Sequence, residues 1–348
     1  MFRRNRLTVG LIAVPAIGLA VAMILMGIAR LRPADNVALI EPTAGPSATS
    51  SSSSTPSPSA SATPGGVGRL GAKPSASATS APADSEPPSR SGFPNAGNTG
   101  VPSGTSLKAY SGSCTITKAN TVIEAKTIKC DIAVKAKNVV IKKSRINGQI
   151  ISEGSGSVRI EDSEIDGGTG QTHTVAFENI TVLRTEIRGG QTNVNCRSNC
   201  LIQDSWLHAQ YMPDGEDWHL DAFLSNGGSN IRLIHNTLAC DHPGNSSGGC
   251  SANAAIFGDF SANSNYTFDR NLFVASENTP YCAYGGMDTK KPYGTQVQGI
   301  VFTNNVFQRG KNGKCGTYGP ITSFDGSKSG NVWRNNVWDD GKPVPPAL

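Results

Sequence analysis

Nine times along residues 121–338 the chain repeats one short pattern: apolar, any, apolar, any, any, small polar, any, apolar. The copies read TVIEAKTI, VVIKKSRI (headed by Val139), VRIEDSEI, ITVLRTEI, CLIQDSWL, IRLIHNTL, YTFDRNLF, IVFTNNVF and NVWRNNVW. The small polar position falls at Lys126 (the one misfit), Ser144, Ser163, Thr185, Ser205, Asn236, Asn271, Asn305 and Asn336, with spacings of 18, 19, 22, 20, 31, 35, 34 and 31 residues. A repeat of this length that alternates at period 2, with no helical stretch between copies, specifies a solenoid of strands. One turn cannot bury its own apolar face, so the turns must stack.

Within each copy the residues at −5, −3 and +2 from the small polar position share the interior, and the break in parity between −3 and +2 calls for a turn. Ser, Ser, Thr, Ser and then four Asn in register predict an internal ladder, each side chain bonding its neighbour one turn along. Charged columns flank it. Position −1 runs Lys143, Asp162, Arg184, Asp204, His235, Arg270, which reads as a ladder of alternating signs. Positions +1 and +3 bring Glu164, Asp166, Glu186, Arg188, Trp206 and His208 to one outward patch. Such a patch is either a solvated, charge-balanced face or a sugar platform, with the indole stacking on a ring and the acids binding hydroxyls.

Outside the repeat the chain changes character. Residues 1–6 are basic, and residues 7–29 carry no charge over 23 positions. As a helix that stretch spans roughly 34 Å, long enough for a bilayer core. The preceding arginines predict a signal-anchor with an exported carboxy terminus; a cleaved signal peptide is the alternative. Residues 30–94, rich in Ser, Ala, Pro and Thr, read as a disordered stalk, its ends roughly 45 Å apart, with the folded domain at 95–348. The expected localisation is therefore the cell membrane, single-pass with the domain outside, or the medium if the leader is cleaved.

All eight cysteines lie beyond the stalk, an even count that predicts disulfides in an exported domain. Neighbourhood suggests Cys114–Cys130, Cys196–Cys200, Cys240–Cys250 and Cys282–Cys315; zinc at Cys196 and Cys200 is the alternative. The net charge of +5 lies mainly in the first hundred residues, since the rest holds 23 Lys/Arg against 22 Asp/Glu. A nucleic-acid footprint is therefore absent. Residues 153–288 are the acidic part, at −11.

The repeat and its asparagine ladder resemble the right-handed parallel β-helix proteins of the pectate-lyase-like superfamily over residues 114–338. The opening SGFPNAGNTGVPSG (91–104) is similar to the leader of secreted actinobacterial β-helix proteins. The resemblance implies an all-β, single-stranded right-handed coil of about nine turns, and a polysaccharide lyase, glycoside hydrolase, epimerase or non-catalytic surface module. The NTD…DD…GHG…RIK series of polygalacturonases, the RxPxxR element of pectate lyases and the YGFDPHD motif of mannuronan epimerases are absent from the sequence.

In YMPDGEDWHLDAFL (211–224), Leu220, Ala222 and Leu224 share an apolar parity, so His219 and Asp221 are expected to project outward together. The pair is similar to the HxDG element of many β-helix proteins, with Ala222 replacing glycine. His219 is the expected base, Asp221 its orienting partner or a cation ligand, and Glu186 the partner carboxylate. Trp206, His208, Glu164, Arg188 and Tyr284 are the expected substrate contacts. Asp214, Glu216 and Asp217 overhang them; a Ca²⁺ site and a plain polar loop are both open readings. The expected partner is a polysaccharide or cell-wall glycan, bound by a monomer that is either an enzyme or a glycan-binding surface module.

Overall fold

The computed structural model describes residues 92–346. The anchor and stalk assigned to residues 1–94 fall almost wholly outside them. The described residues are all-β, without a helix, and form long parallel sheets consistent with a β-helix. Each turn visits three rows of strands. A short-stranded sheet runs Lys108–Ala109, Lys126–Ile128, Arg145–Asn147 and onward to Val337–Trp338, ten strands in chain order. The second row runs from Thr115–Ile116 to Gly319–Thr322 and the third from Val122–Glu124 to Val332–Arg334. In two turns the second and third rows fuse into the long strands His173–Leu183 and Thr192–Gln203. The ten-strand sheet begins with Lys108–Ala109, ahead of the first copy of the repeat.

The apolar columns stack as the repeat dictates. Ile141, Ile160, Val182, Ile202, Leu233, Phe268 and Phe302 are successive register partners. All seven side chains are fully buried. One turn after the small polar residue changes from Ser to Asn, Phe takes over these columns from Ile, Val and Leu, with Phe268 on Phe302 and Phe273 on Phe307 at 4.5 and 4.4 Å between ring centres.

The ladder forms, in two chemistries. The Asn236, Asn271 and Asn305 amides each donate to the Oδ1 of the next asparagine (3.0, 3.1 and 2.8 Å), which also accepts the backbone N–H above it. The shorter Ser144, Ser163, Thr185 and Ser205 hydroxyls turn back onto the carbonyl two residues earlier. They do not bond neighbouring side chains along the ladder. Just before the ladder, residues 125, 143, 162, 184, 204, 235, 270, 304 and 335 all take positive φ near 50°. The −1 column is therefore the bend itself. Its charges also pair: Arg184 meets Asp162 at 2.6 Å and His235 meets Asp204 at 2.6 Å.

A second bend was not anticipated. Position −6 holds Asn120, Asn138, Asn179, Asn199, Asn230 and Asn265, all at φ of 56–60°. Their amides link along the surface, as in Asn199 to Asn179 at 3.0 Å.

The four disulfides pair as neighbourhood suggests, and no cysteine among the described residues is free. The zinc alternative at Cys196 and Cys200 is thereby removed, since the two are bonded to each other.

The leader at 92–104 is a strap. Phe93 is buried against Leu272 and Val306, which are the +1 residues of late turns, and stacks on His235. The Gly100 N–H reaches the Arg184 carbonyl two turns earlier in the repeat series.

Candidate functional site

The short sheet delivers the outward patch in register: Arg145, Glu164, Glu186, Trp206 and Thr237 are successive partners, and Asp166 pairs with Arg188. The side chains satisfy one another. Arg145 binds Glu164 (2.6 Å), Arg188 meets Asp166 (3.2 Å), and His208 Nε2 meets Glu186 Oε1 (3.0 Å). The histidine hydrogen bond holds the Glu186 carboxyl below the usual range. The Trp206 indole lies flat on His208 at 3.5 Å, so one of its faces is already occupied. The strap reaches the same patch, and a Cβ on Gly100 would meet Glu164 Cγ at 3.1 Å.

His219 and Asp221 belong to the second row, in His219–Ser225, so the expected composite of patch and His-x-Asp pair divides between two sheets. The outward placement of Asp221 is also overturned. His219 is exposed, but Asp221 is 2% exposed. The register slips between Leu220 and Asp221, where Leu220 pairs with Cys250 and Asp221 with Ala252, which breaks simple alternation. Burial pushes the Asp221 carboxyl from 3.8 up to about 8, against the opposing bond from the Ala252 backbone. Its Oδ1 has no partner among the described residues. His219 Nδ1 faces Ser251 Oγ at 3.4 Å and does not bond Asp221.

Both nevertheless line one open cavity of about 720 Å³, whose walls include Gln191, Asn245, Ser251, Phe257, Asp259, Tyr284 and Lys291. Asp259 and Lys291 pair at 2.7 Å. Phe257, Tyr284, Tyr281 and Tyr318 follow one another as ring neighbours at 5.2–5.8 Å. Burial, then the nearby Asp221, raises the Tyr284 hydroxyl to about 12. Of the expected contacts, Tyr284 is thus in the cavity. Glu164, Glu186, Arg188, Trp206 and His208 are not among its walls.

The loop before His219 is anchored by Met212 and Trp218, which pack with Leu220, Cys240 and Cys250 into a small separate core. Trp218 Nε1 donates to Glu216 Oε2 at 3.2 Å. Asp214, Glu216 and Asp217 do not converge: among the described residues no three His, Cys, Asp or Glu side chains are grouped to hold a metal.

A smaller cavity of about 290 Å³ opens beside the first, lined by His173, Phe177, Asn195, Arg197, Ser198 and Phe260 among others; Asn226 is common to both. The Asn226–Gly228 corner presses on the long strand so closely that a Cβ on Gly228, at φ +150°, would fall 1.4 Å from the Arg197 carbonyl oxygen.

The repeat did not single out Asp259, Phe257, Asn226 or Arg197, because all but Arg197 lie in connections whose path no repeat dictates. Arg197 lies in the extension that fuses two rows. No family model, curated protein or solved structure matches the chain.

Proposed function

We propose that the protein binds a polysaccharide in the groove over the second row and hydrolyses it, with Asp221 as proton donor. The observation that carries this reading is a carboxyl buried until it stays protonated near neutral pH, yet lining a cavity wide enough for sugar rings. Aromatic faces at Phe257 and Tyr284 and polar groups at Gln191, Ser251 and Asn245 suit the two sides of a pyranose. In the reaction the glycosidic C–O bond breaks as Asp221 gives its proton to the leaving oxygen. Water adds to the anomeric carbon, and its proton passes to His219 or Asp259.

The reading includes a right-handed coil of the pectate-lyase-like kind. It also includes export and tethering: the four disulfides suit an oxidising exterior, and the uncharged segment at 7–29 supplies the membrane anchor. The second reading is glycan capture without turnover, favoured by the run of aromatic rings, which provides stacking without chemistry.

One assay separates them. Full-length protein is incubated with a panel of polysaccharides, with and without chelator, and new reducing ends are counted. Hydrolysis predicts turnover that Asp221→Asn lowers by about 10³-fold or more while binding persists. Binding without new reducing ends from the wild type selects capture, and unsaturated uronate products select a lyase. Loss of turnover with chelator would reinstate a cation at the loop acids.

A further inference from the structure

The two cavities share Asn226 in their walls and adjoin along the second row, a large end and a small one. Asn195, Leu224, Ala255 and Tyr284 are successive register partners, so the row beneath passes from the smaller cavity into the larger in three steps of about 4.8 Å. At the large end the cation Lys291 is committed to Asp259, and Asp221 lies below. At the small end Arg197 has no acidic partner among the described residues.

The contrast matters because its surroundings are acidic. Residues 153–288 contain six arginines and no lysine, and four of them (Arg159, Arg184, Arg188, Arg270) pair with carboxylates. Of the two without a salt bridge among the described residues, Arg232 lines neither cavity and Arg197 lines the smaller. Arg197 is also held in place. Its guanidinium carbon lies 3.9 Å from the Phe177 ring centre, and Gly228 packs on its backbone.

Behind it, Asn195 Nδ2 donates to His173 Nε2 at 3.0 Å, leaving the Nδ1 proton of the neutral imidazole buried without a partner. Burial, then the Arg197 charge, pushes the His173 pKa down, which favours the neutral ring. Arg197 is the one Lys, Arg, Asp or Glu side chain among the described residues that line this cavity, and Phe260, 78% exposed, offers a ring at its rim.

We propose that Arg197 is a specificity-determining residue that selects a glycan carrying one acidic substituent, bound at the small end while the adjoining sugars are uncharged. This rests on the glycan-binding reading above. A homopolymer charged on every sugar would place anions over the large end, where the one lining cation, Lys291, is already committed to Asp259, and a neutral chain would leave the guanidinium without its counter-charge. A heteropolysaccharide with acidic groups on alternate sugars or fewer fits both ends.

Affinity electrophoresis of full-length protein tests this with four polymers: unsulfated chondroitin (a carboxylate on alternate sugars), keratan sulfate (sulfate without carboxylate), polygalacturonate (a carboxylate on every sugar) and neutral dextran. The expected result is retardation by chondroitin or keratan sulfate about tenfold stronger than by dextran or polygalacturonate. Which of the two acts identifies the acidic group. Arg197→Gln should erase that preference and Arg197→Lys keep part of it, with unchanged melting midpoints. Strongest retention by polygalacturonate, or a preference that survives Arg197→Gln, overturns the proposal. Binding of glycans without any charge preference overturns it and leaves the glycan-binding reading standing; absence of binding to any glycan, in this panel and the wider one above, overturns both.

Discussion

Asn271 shows how much one side chain can carry in a stacked coil. Its Oδ1 accepts from the backbone and amide of Asn236, and its amide donates to the Leu233 carbonyl and to Asn305, all in the buried interior. Asn271→Leu keeps the volume and strands those partners, so a loss of about 3 kcal/mol is expected in denaturant unfolding. Ser144→Ala should cost less, about 1 kcal/mol, because a hydroxyl that turns back on its own strand leaves fewer groups unpaired.

Asp221 supplies a prediction with a definite sign. Below about pH 4 its carboxyl is protonated in folded and unfolded chains alike. From there to about 8 the unfolded chain releases the proton and the folded one retains it, so stability falls as pH rises. Above about pH 8 the loss is complete. Asp221→Asn should flatten that part of the pH–melting profile, and the gain in melting temperature over the wild type should be larger at pH 8 than at pH 4. A pH-independent difference between the two would place the carboxyl in contact with water.

Among elements, the strap explains why the +1 column changes character. That column is polar through Thr237 and then becomes Leu272, Val306 and Val337, apolar side chains on the outward face of the short sheet. Phe93 covers them. Phe93→Ala should release the strap without unfolding the coil. Limited proteolysis would then cut within residues 94–104 at least tenfold faster, with the global unfolding midpoint shifted much less. The leader was visible in the sequence as a motif, but its docking site was not. The apolar partners of Phe93 are over 170 residues away, and only the stacking of turns brings them to one face.

The −6 column is the opposite case, legible but unread. Asn, Asn, Ser, Asn, Asn, Asn, Asn, Gly, Gly in register is the signature of a left-handed bend, since Asn and Gly tolerate positive φ. Gly228 marks a different constraint, close approach. Gly228→Ala should disturb the corner shared by both cavities, weakening glycan retention and lowering the melting temperature together.

Across the whole molecule, the disulfides divide by what they span. Cys114–Cys130 and Cys282–Cys315 tie consecutive turns, Cys240–Cys250 closes an excursion, and Cys196–Cys200 lies within one strand. Replacing Cys282 and Cys315 by Ala should destabilise by about 3 kcal/mol, and replacing Cys196 and Cys200 by less, because a four-residue loop restricts the unfolded chain little. Equal losses for the two pairs in denaturant melts would contradict that ordering.

The sequence by itself determined the coil. A period-2 pattern repeated in register leaves one way to bury its apolar columns, and the ladder, the charged columns and the Cys114–Cys130 and Cys282–Cys315 pairs follow from neighbours one turn apart. Tertiary structure alone decided the groove. The register slip at Leu220–Asp221 turned an expected outward carboxylate into a buried acid, and it arises where the next turn inserts an unmatched residue, Ser251. Asp259, Lys291, Tyr284 and Arg197 meet that acid or its neighbouring cavity from different turns. Their separation in space is set by where the connecting loops leave and rejoin the stack, and the repeat places no constraint on those paths.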